Sequence, residues 1–346
     1  MQVAVAADRR VRPSAGRRYP RVVALNLILL LVGLVGLAYA ADRFVLGAAQ
    51  VAARLRVSTV VTGALIIGFG TSAPELVVST MAALREGAEG TALAIGNIVG
   101  SNVANLTLVM ALPALVYGSI AIEKGRGVKR QAAVSATGVT VFAAAVLLVH
   151  EELVEPTRWL GLALALLTLI ALGFVVWIGD KYGGVAPPDS VEGSSPWILT
   201  VVGLVGTVAF AFLVVNSATS IADDLGWTGG FVGYGLVAVG TSLPELVTAL
   251  AALRRGESGL IIGNLLGSNL FNSLTVGSAV FLANDQRPFN DAAGLPPWVL
   301  YLMVAVSWLV IIAMATGSRI GRGEARVMIF GYLAMLGVLA MTGATV

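Results

Sequence analysis

Gly70-Thr71-Ser72-Ala73-Pro74-Glu75, followed by Gly96-Asn97-Ile98-Val99-Gly100-Ser101-Asn102-Val103-Ala104-Asn105, is the stretch that decides the fold. It recurs as Gly240-Thr241-Ser242-Leu243-Pro244-Glu245 followed by Gly263-Asn264-Leu265-Leu266-Gly267-Ser268-Asn269-Leu270-Phe271-Asn272. Each copy sets one carboxylate, hydroxyls and amides inside an apolar run. Ionisable groups within a membrane span are costly, and they mark functional sites.

The surrounding composition establishes that the runs are membrane spans. The chain is 57% hydrophobic and 12% charged, with a mean hydropathy of +0.89 over 346 residues, which is the profile of an integral membrane protein. It has no cysteine, so disulfides, thiolate chemistry and cysteine-based metal sites are excluded. The net charge of +3 carries no nucleic-acid signature, because the basic residues sit in loops and in the N-terminal tail.

A bilayer requires about 20 apolar residues per helix. Stretches of that kind fall at roughly 22–42, 57–84, 90–117, 128–149, 158–179, 197–222, 228–253, 258–283, 297–316 and 325–345. The expectation is an all-α membrane protein of ten transmembrane helices in two inverted five-helix repeats. Residues 1–20 read as a disordered basic tail, 21–179 as the first repeat, 180–196 as a Pro- and Gly-containing linker loop, and 197–346 as the second repeat. Five crossings separate matching motif residues, so the two copies enter from opposite faces. Inverted repeats place the substrate site where they meet, near the midplane.

Charge in the loops orients the chain. The loops after the odd-numbered spans hold Arg43, Arg54, Arg56, Lys124, Arg126, Lys129, Arg130, Lys181, Arg254, Arg255, Arg319, Arg322 and Arg326, whereas the interhelical loops on the other face hold Arg85, Arg158 and Arg287. The positive-inside rule makes the first face cytoplasmic and both termini extracellular, although the basic tail points the other way.

Within the spans so drawn, Glu75 and Glu245 are the acidic residues well inside helices, with no Lys or Arg at their depth. A charged carboxylate there needs a solvated cavity, a proton or a bound cation. Thr71 and Glu75 are four residues apart, as are Thr241 and Glu245, with Ser72 and Ser242 adjacent. Ser101 and Asn105 have the same spacing, as do Ser268 and Asn272, so each set lies on one helical face. Oxygen-only coordination suits calcium and sodium rather than zinc or copper. Pro74 and Pro244 remove backbone donors and free carbonyls about one turn earlier, near Gly68 to Thr71 and Ala238 to Thr241. The bland alternative is helix packing, in which Ser, Thr and Asn serve as interhelical hydrogen-bond partners. Asn97, Asn102, Asn264 and Asn269 fit that reading. His150, beside Glu151 at a helix end, reads as a surface residue.

The two Gly-Thr-Ser-x-Pro-Glu and Gly-Asn-x-x-Gly-Ser-Asn pairs resemble the cation/calcium antiporter superfamily, in its sodium/calcium exchanger branch. The resemblance covers the motif regions directly and, through the ten-span plan, nearly the whole chain. It implies that the central cation ligands are Glu75 and Glu245. Side-chain oxygens of Thr71, Ser72, Thr241, Ser242, Ser101, Ser268, Asn105 and Asn272 complete the set, and backbone carbonyls near Gly68 and Ala238 match outer sodium sites. Several members carry Asp where this chain has Asn272, which leaves two formal negative charges here. The proton-driven branch has Gly-Asn-x-x-Glu around the glutamate. Its absence favours sodium as the coupling ion.

The resemblance further implies a fixed core of helices 2, 3, 7 and 8, with helices 1 and 6 sliding across it. The function expected is calcium/sodium antiport by alternating access in a prokaryotic plasma membrane, with no cofactor, no nucleic acid and no obligate protein partner. The alternatives are a proton-coupled antiporter for calcium or another divalent cation, a cation channel, and an intramembrane enzyme. The inverted repeat argues against the channel, and the lack of a nucleophile–base pair or His/Asp/Cys cluster at membrane depth argues against the enzyme.

Overall fold

The computed structural model describes residues 19–55, 59–85, 87–122, 126–154, 158–182, 195–224, 240–283, 297–316 and 319–341. Most of the basic tail, the centre of the linker and Ala238 lie outside the described residues.

The first helix, α1, runs from Tyr19 to Leu55 without a break. A second span starts as α2 (Thr59–Thr62), passes through a π-helical stretch at Gly63–Gly68 and a further turn, α3 (Phe69–Thr71), and resumes as α4 (Ala73–Arg85). The two arms of this span, Val60–Thr71 and Ala73–Leu84, meet at 43°. Then come α5 (Gly87–Ala104), a π-helical stretch Asn105–Val109, α6 (Met110–Tyr117), β1 (Ser119–Ala121), α7 (Arg126–His150), α8 (Arg158–Tyr182) and α9 (Pro196–Asp224). The second motif pair lies on α10 (Leu243–Arg254), α11 (Ser258–Phe271) and a π-helical stretch Asn272–Val276, which leads into α12 (Gly277–Ala283). Helix α13 (Pro297–Thr316), β2 (Arg319–Gly321) and α14 (Arg322–Met341) follow.

Among the described residues, seven helices are long and apolar enough to cross a bilayer, or eight if the bent pair is one span. The protein is a multi-pass membrane protein, and its described residues are almost entirely helical. The tenfold crossing read from the sequence is not reached by this count. The stretch expected at 228–253 begins outside the described residues, and α14 is not among the seven.

Helix α1 departs most from the sequence expectation. It does not stop near residue 42 but continues for 37 residues in all, so Arg43 and Arg54 belong to a helix rather than a loop. The cause is packing. Phe44, Val45, Ala48, Val51 and Ala52 are buried, so the turns beyond Arg43 have their own apolar face. Asp42 pairs with Arg255 just after α10, at 2.7 Å. Against α9 the contact is backbone to backbone: a Cβ on Gly47 would lie 2.5 Å from the Thr200 nitrogen, and one on Gly203 would lie 2.5 Å from the Phe44 nitrogen.

The centre of the molecule is α11, buried at every position from Gly259 to Phe271. A helix buried on all sides is a core helix. It reaches that position through small residues, since a Cβ on Gly263 would fall 2.0 Å from the Val60 carbonyl oxygen. Helix α8 has the opposite character. Trp159, Leu162, Leu166, Leu169 and Phe174 are exposed along it, as befits a lipid-facing helix. β1 and β2 pair antiparallel through Ile120 and Ile320, a short clip between the two halves of the chain.

Candidate cation site

Both copies of the Thr-Ser-x-Pro-Glu segment break the helix at the serine. Ser72 has φ −85°, ψ 7° and Ser242 has φ −86°, ψ 4°, nearly identical departures from helical geometry. A proline two residues further on cannot donate into the preceding turn, so the chain turns at the serine and restarts. Leu76 and Leu246 then bond back to the Ser72 and Ser242 carbonyls at 3.2 and 3.1 Å, and the glutamate stands in the first turn of the new helix.

The second segment of each motif ends where α-helix becomes π-helix. Asn105 and Asn272 are the first residues of their π-helical stretches. Such insertions recur at functional sites, because they redirect side chains that a regular helix would carry past. Nothing in the sequence period announced them.

These four segments meet in the interior. Thr71, Ser72, Glu75, Ser101, Asn105, Glu245, Ser268 and Asn272 are each 0% exposed, and Thr241 and Ser242 are buried beside them. Every described side chain expected from the sequence is therefore enclosed. Ser72 Oγ donates to Glu245 Oε1 at 3.0 Å, and Ser268 Oγ stands 3.4 Å from the same oxygen. Ser101 and Thr241 lie beside Glu75. The Gly68 carbonyl, expected to be freed for a cation, instead accepts from the Ser72 N–H at 3.2 Å and Ser268 Oγ at 3.1 Å. The bond removed by Pro74 is that of a carbonyl nearer the break, because an α-helical N–H reaches back four residues.

Asn97 and Asn264, read from the sequence as packing residues, reach the site from the second segments. The Thr71 hydroxyl lies 3.2 Å from Asn264 Oδ1, and the Thr241 hydroxyl lies 3.4 Å from Asn97 Oδ1, so each threonine meets the asparagine of the other motif pair. Their amide nitrogens donate outward, Asn97 to Ser79 at 3.0 Å and Asn264 to Thr248 at 3.2 Å. The signal was present in the spacing: Asn97 is four residues before Ser101 and Asn264 four before Ser268, on the same helical faces. Asn102 and Asn269 do form an interhelical network. Asn102 donates to Ser273 Oγ at 2.8 Å, Asn269 to the Asn102 carbonyl at 3.0 Å, and Asn105 to Asn269 Oδ1 at 3.1 Å.

Unmade bonds complete the geometry. Both oxygens of Glu75, Oε2 of Glu245, the hydroxyls of Ser101 and Ser242, Oδ1 of Asn105 and both amide atoms of Asn272 are buried without a hydrogen-bond partner. Native proteins pair nearly all such groups, because each unpaired one costs about 1–3 kcal/mol. Here the unpaired atoms concentrate on the motif residues and are nearly all oxygens. A hard cation satisfies several oxygens at once, and calcium takes 6–8 of them. Among the described residues, no three His, Cys, Asp or Glu side chains gather as a transition-metal site would require.

A multi-pass helical membrane protein with two buried carboxylates in a shell of hydroxyl and amide oxygens has the make-up of an ion-transport protein. Comparison with known proteins specifies which. The chain belongs to the sodium/calcium exchanger family, whose model, described as sodium/calcium exchanger protein, matches residues 25–177 and 195–341. A candidate antiporter of Alkalimonas amylolytica, CaxA, is 32% identical over 88% of this chain and 96% of its own length. The sodium/calcium exchanger MaX1 of Methanosarcina acetivorans is 28% identical over 92% of this chain and 99% of its own. The solved structure of the sodium-calcium exchanger NCX_Mj, soaked with zero sodium and calcium, superposes with a TM-score of 0.75 at 30% identity, covering 92% of this chain and 99% of that one.

Proposed function

We propose that this protein is a secondary active antiporter that exchanges calcium for sodium by alternating access. The ions bind between the second, third, seventh and eighth spans, at the interface of two inverted five-helix halves, residues 21–179 and 197–346, joined by the 180–196 linker. The observation that carries this reading is the cluster of unpaired buried oxygens on Glu75, Glu245, Ser101, Ser242, Asn105 and Asn272. Thr71, Ser72, Thr241 and Ser268 add hydroxyls, and the backbone carbonyls nearer the two helix breaks, left without a donor by Pro74 and Pro244, serve the outer sodium positions.

The physical chemistry follows from the charge. Two carboxylates neutralise one calcium, and several sodium ions compete for the same oxygens. With neither bound, two negative charges remain buried, and moving them past an apolar barrier is prohibitive. The helices slide when the site is loaded, which enforces exchange and requires no enzymatic step and no cofactor. The close backbone contact between α1 and α9 suits the pair to slide together across the core. The protein works in a prokaryotic plasma membrane with extracellular termini, and its partners are calcium, sodium and the bilayer.

The test is calcium uptake into proteoliposomes under an outward sodium gradient, against uptake under an imposed pH gradient with no sodium. Uptake that follows sodium alone supports the proposal, and uptake that follows pH alone replaces it with a proton-coupled divalent antiporter.

A further inference from the structure

A groove on the lipid-facing side, between α7 and α8, encloses about 390 Å³ and has no part in the cation site. Its walls include Ala133, Thr137 and Val141 of α7 with Leu167, Ile170 and Phe174 of α8, and its polar lining is minor. One end carries cations. Arg130 lines the groove, and its guanidinium lies 5.9 Å from the centre of the Trp177 ring, while the Lys181 ammonium lies 4.9 Å from the same ring. Trp177 in turn stacks on Phe174 at 5.2 Å, so the aromatic pair leads from the cationic rim into the apolar interior.

We infer that this groove is a binding site for an anionic phospholipid, with an acyl chain lying along α7 and α8 and the headgroup phosphate held by Arg130 and Lys181 above Trp177.

Three observations select this occupant. The groove opens where the chain meets lipid, since Leu167, Ile170, Phe174 and Trp177 are all exposed large hydrophobic residues. Its length fits, because Arg130 to Val141 spans about 16 Å at 1.5 Å per residue, roughly half of a ~30 Å hydrocarbon core and so one leaflet deep. Its charge fits, because a tryptophan with two flanking cations at one end matches the interfacial belt and the attraction of anionic headgroups to Lys and Arg. A second apolar groove, lined by Leu31, Val32, Val35, Gly36 and Phe210, has no such cationic rim among its lining residues. The acyl terminus would rest near Leu274, also a lining residue and two positions from Asn272.

The test is lipid retention by the purified full chain, read by native mass spectrometry after equilibration with phosphatidylglycerol or phosphatidylcholine of the same acyl composition. Wild type is expected to prefer phosphatidylglycerol on the order of tenfold, as two interfacial cations would provide. Arg130→Gln combined with Lys181→Gln removes the preference. Thr137→Trp, or Ala171→Phe on the opposite wall, fills the groove and removes retention with the cations intact, while Val32→Trp in the second groove leaves it unchanged. Equal retention of both lipids by wild type overturns the proposal. So does wild-type preference in the Arg130/Lys181 double variant, wild-type retention in a folded groove-filling variant, or equal loss in Val32→Trp.

Discussion

Ser72 Oγ donates to Glu245 Oε1 at 3.0 Å, joining the helix break of the first motif copy to the carboxylate of the second. The converse bond is not made: Ser242 Oγ and both oxygens of Glu75 are unpaired. The two motif copies are alike in sequence and backbone, but their side chains are not arranged symmetrically.

This asymmetry separates the two serines. Ser72→Ala removes a bond to a carboxylate, worth roughly 1.5 kcal/mol or more, and is expected to lower apparent calcium affinity about tenfold. Ser242→Ala removes a hydroxyl with no protein partner, so thermal stability should hold or rise while calcium affinity falls. Melting temperature and calcium dependence of uptake, measured on both variants, check this. Unchanged affinity in Ser242→Ala would remove that hydroxyl from the ligand set.

Asn272 is buried with both amide atoms unpaired. Asn272→Asp adds a third negative charge and should strengthen calcium binding relative to sodium, since the divalent ion gains more from each added charge. The new carboxylate binds cations when deprotonated, so exchange in the variant should fall more steeply than wild type as pH is lowered. Uptake rates across a pH series, at fixed sodium, check the sign.

Gly263 stands where α11 crosses the start of the second span, and its missing Cβ would lie 2.0 Å from the Val60 carbonyl oxygen. Gly263→Ala therefore forces the helices apart, at a cost of roughly 1–3 kcal/mol. Gly331, in α14, meets nothing within 4 Å, and Gly331→Ala should be neutral or slightly stabilising. Thermal melts of the two variants in the same detergent should differ clearly.

Asp42 and Arg255 form a bidentate pair with Nε–Oδ1 and Nη2–Oδ2 distances of 3.1 and 2.7 Å. Their side chains are 22% and 29% exposed, so solvent screening limits the pair to about 1 kcal/mol of stability. Asp42→Asn should lower the melting temperature by no more than a few degrees. The exchanged pair, Asp42→Arg with Arg255→Asp, should recover most of that loss, whereas the single Asp42→Arg should not.

The duplicated motifs made most of this site legible in advance. Glu75 and Glu245 stood out because carboxylates are scarce in apolar runs, and four-residue spacing gathered the hydroxyls and amides onto shared faces. Asn97 and Asn264 bridge helices as the packing reading expects, but two of their partners are the motif threonines Thr71 and Thr241, and the sequence of a membrane helix does not say which partner an asparagine meets. The long course of α1 was hidden by Asp42 and Arg43, whose charges resemble a loop until Arg255 and the apolar turns beyond them are in view. The π-helical starts at Asn105 and Asn272 have no signature in the apolar period of the sequence.

The most direct measurement is radioactive calcium uptake into sodium-loaded proteoliposomes by wild type, Glu75→Gln and Glu245→Gln, each shown to be folded. The glutamine variants keep the shape of the site and remove one charge apiece, so gradient-driven uptake should be present in wild type and abolished in both. Near-normal exchange in both would contradict a site built on the two carboxylates.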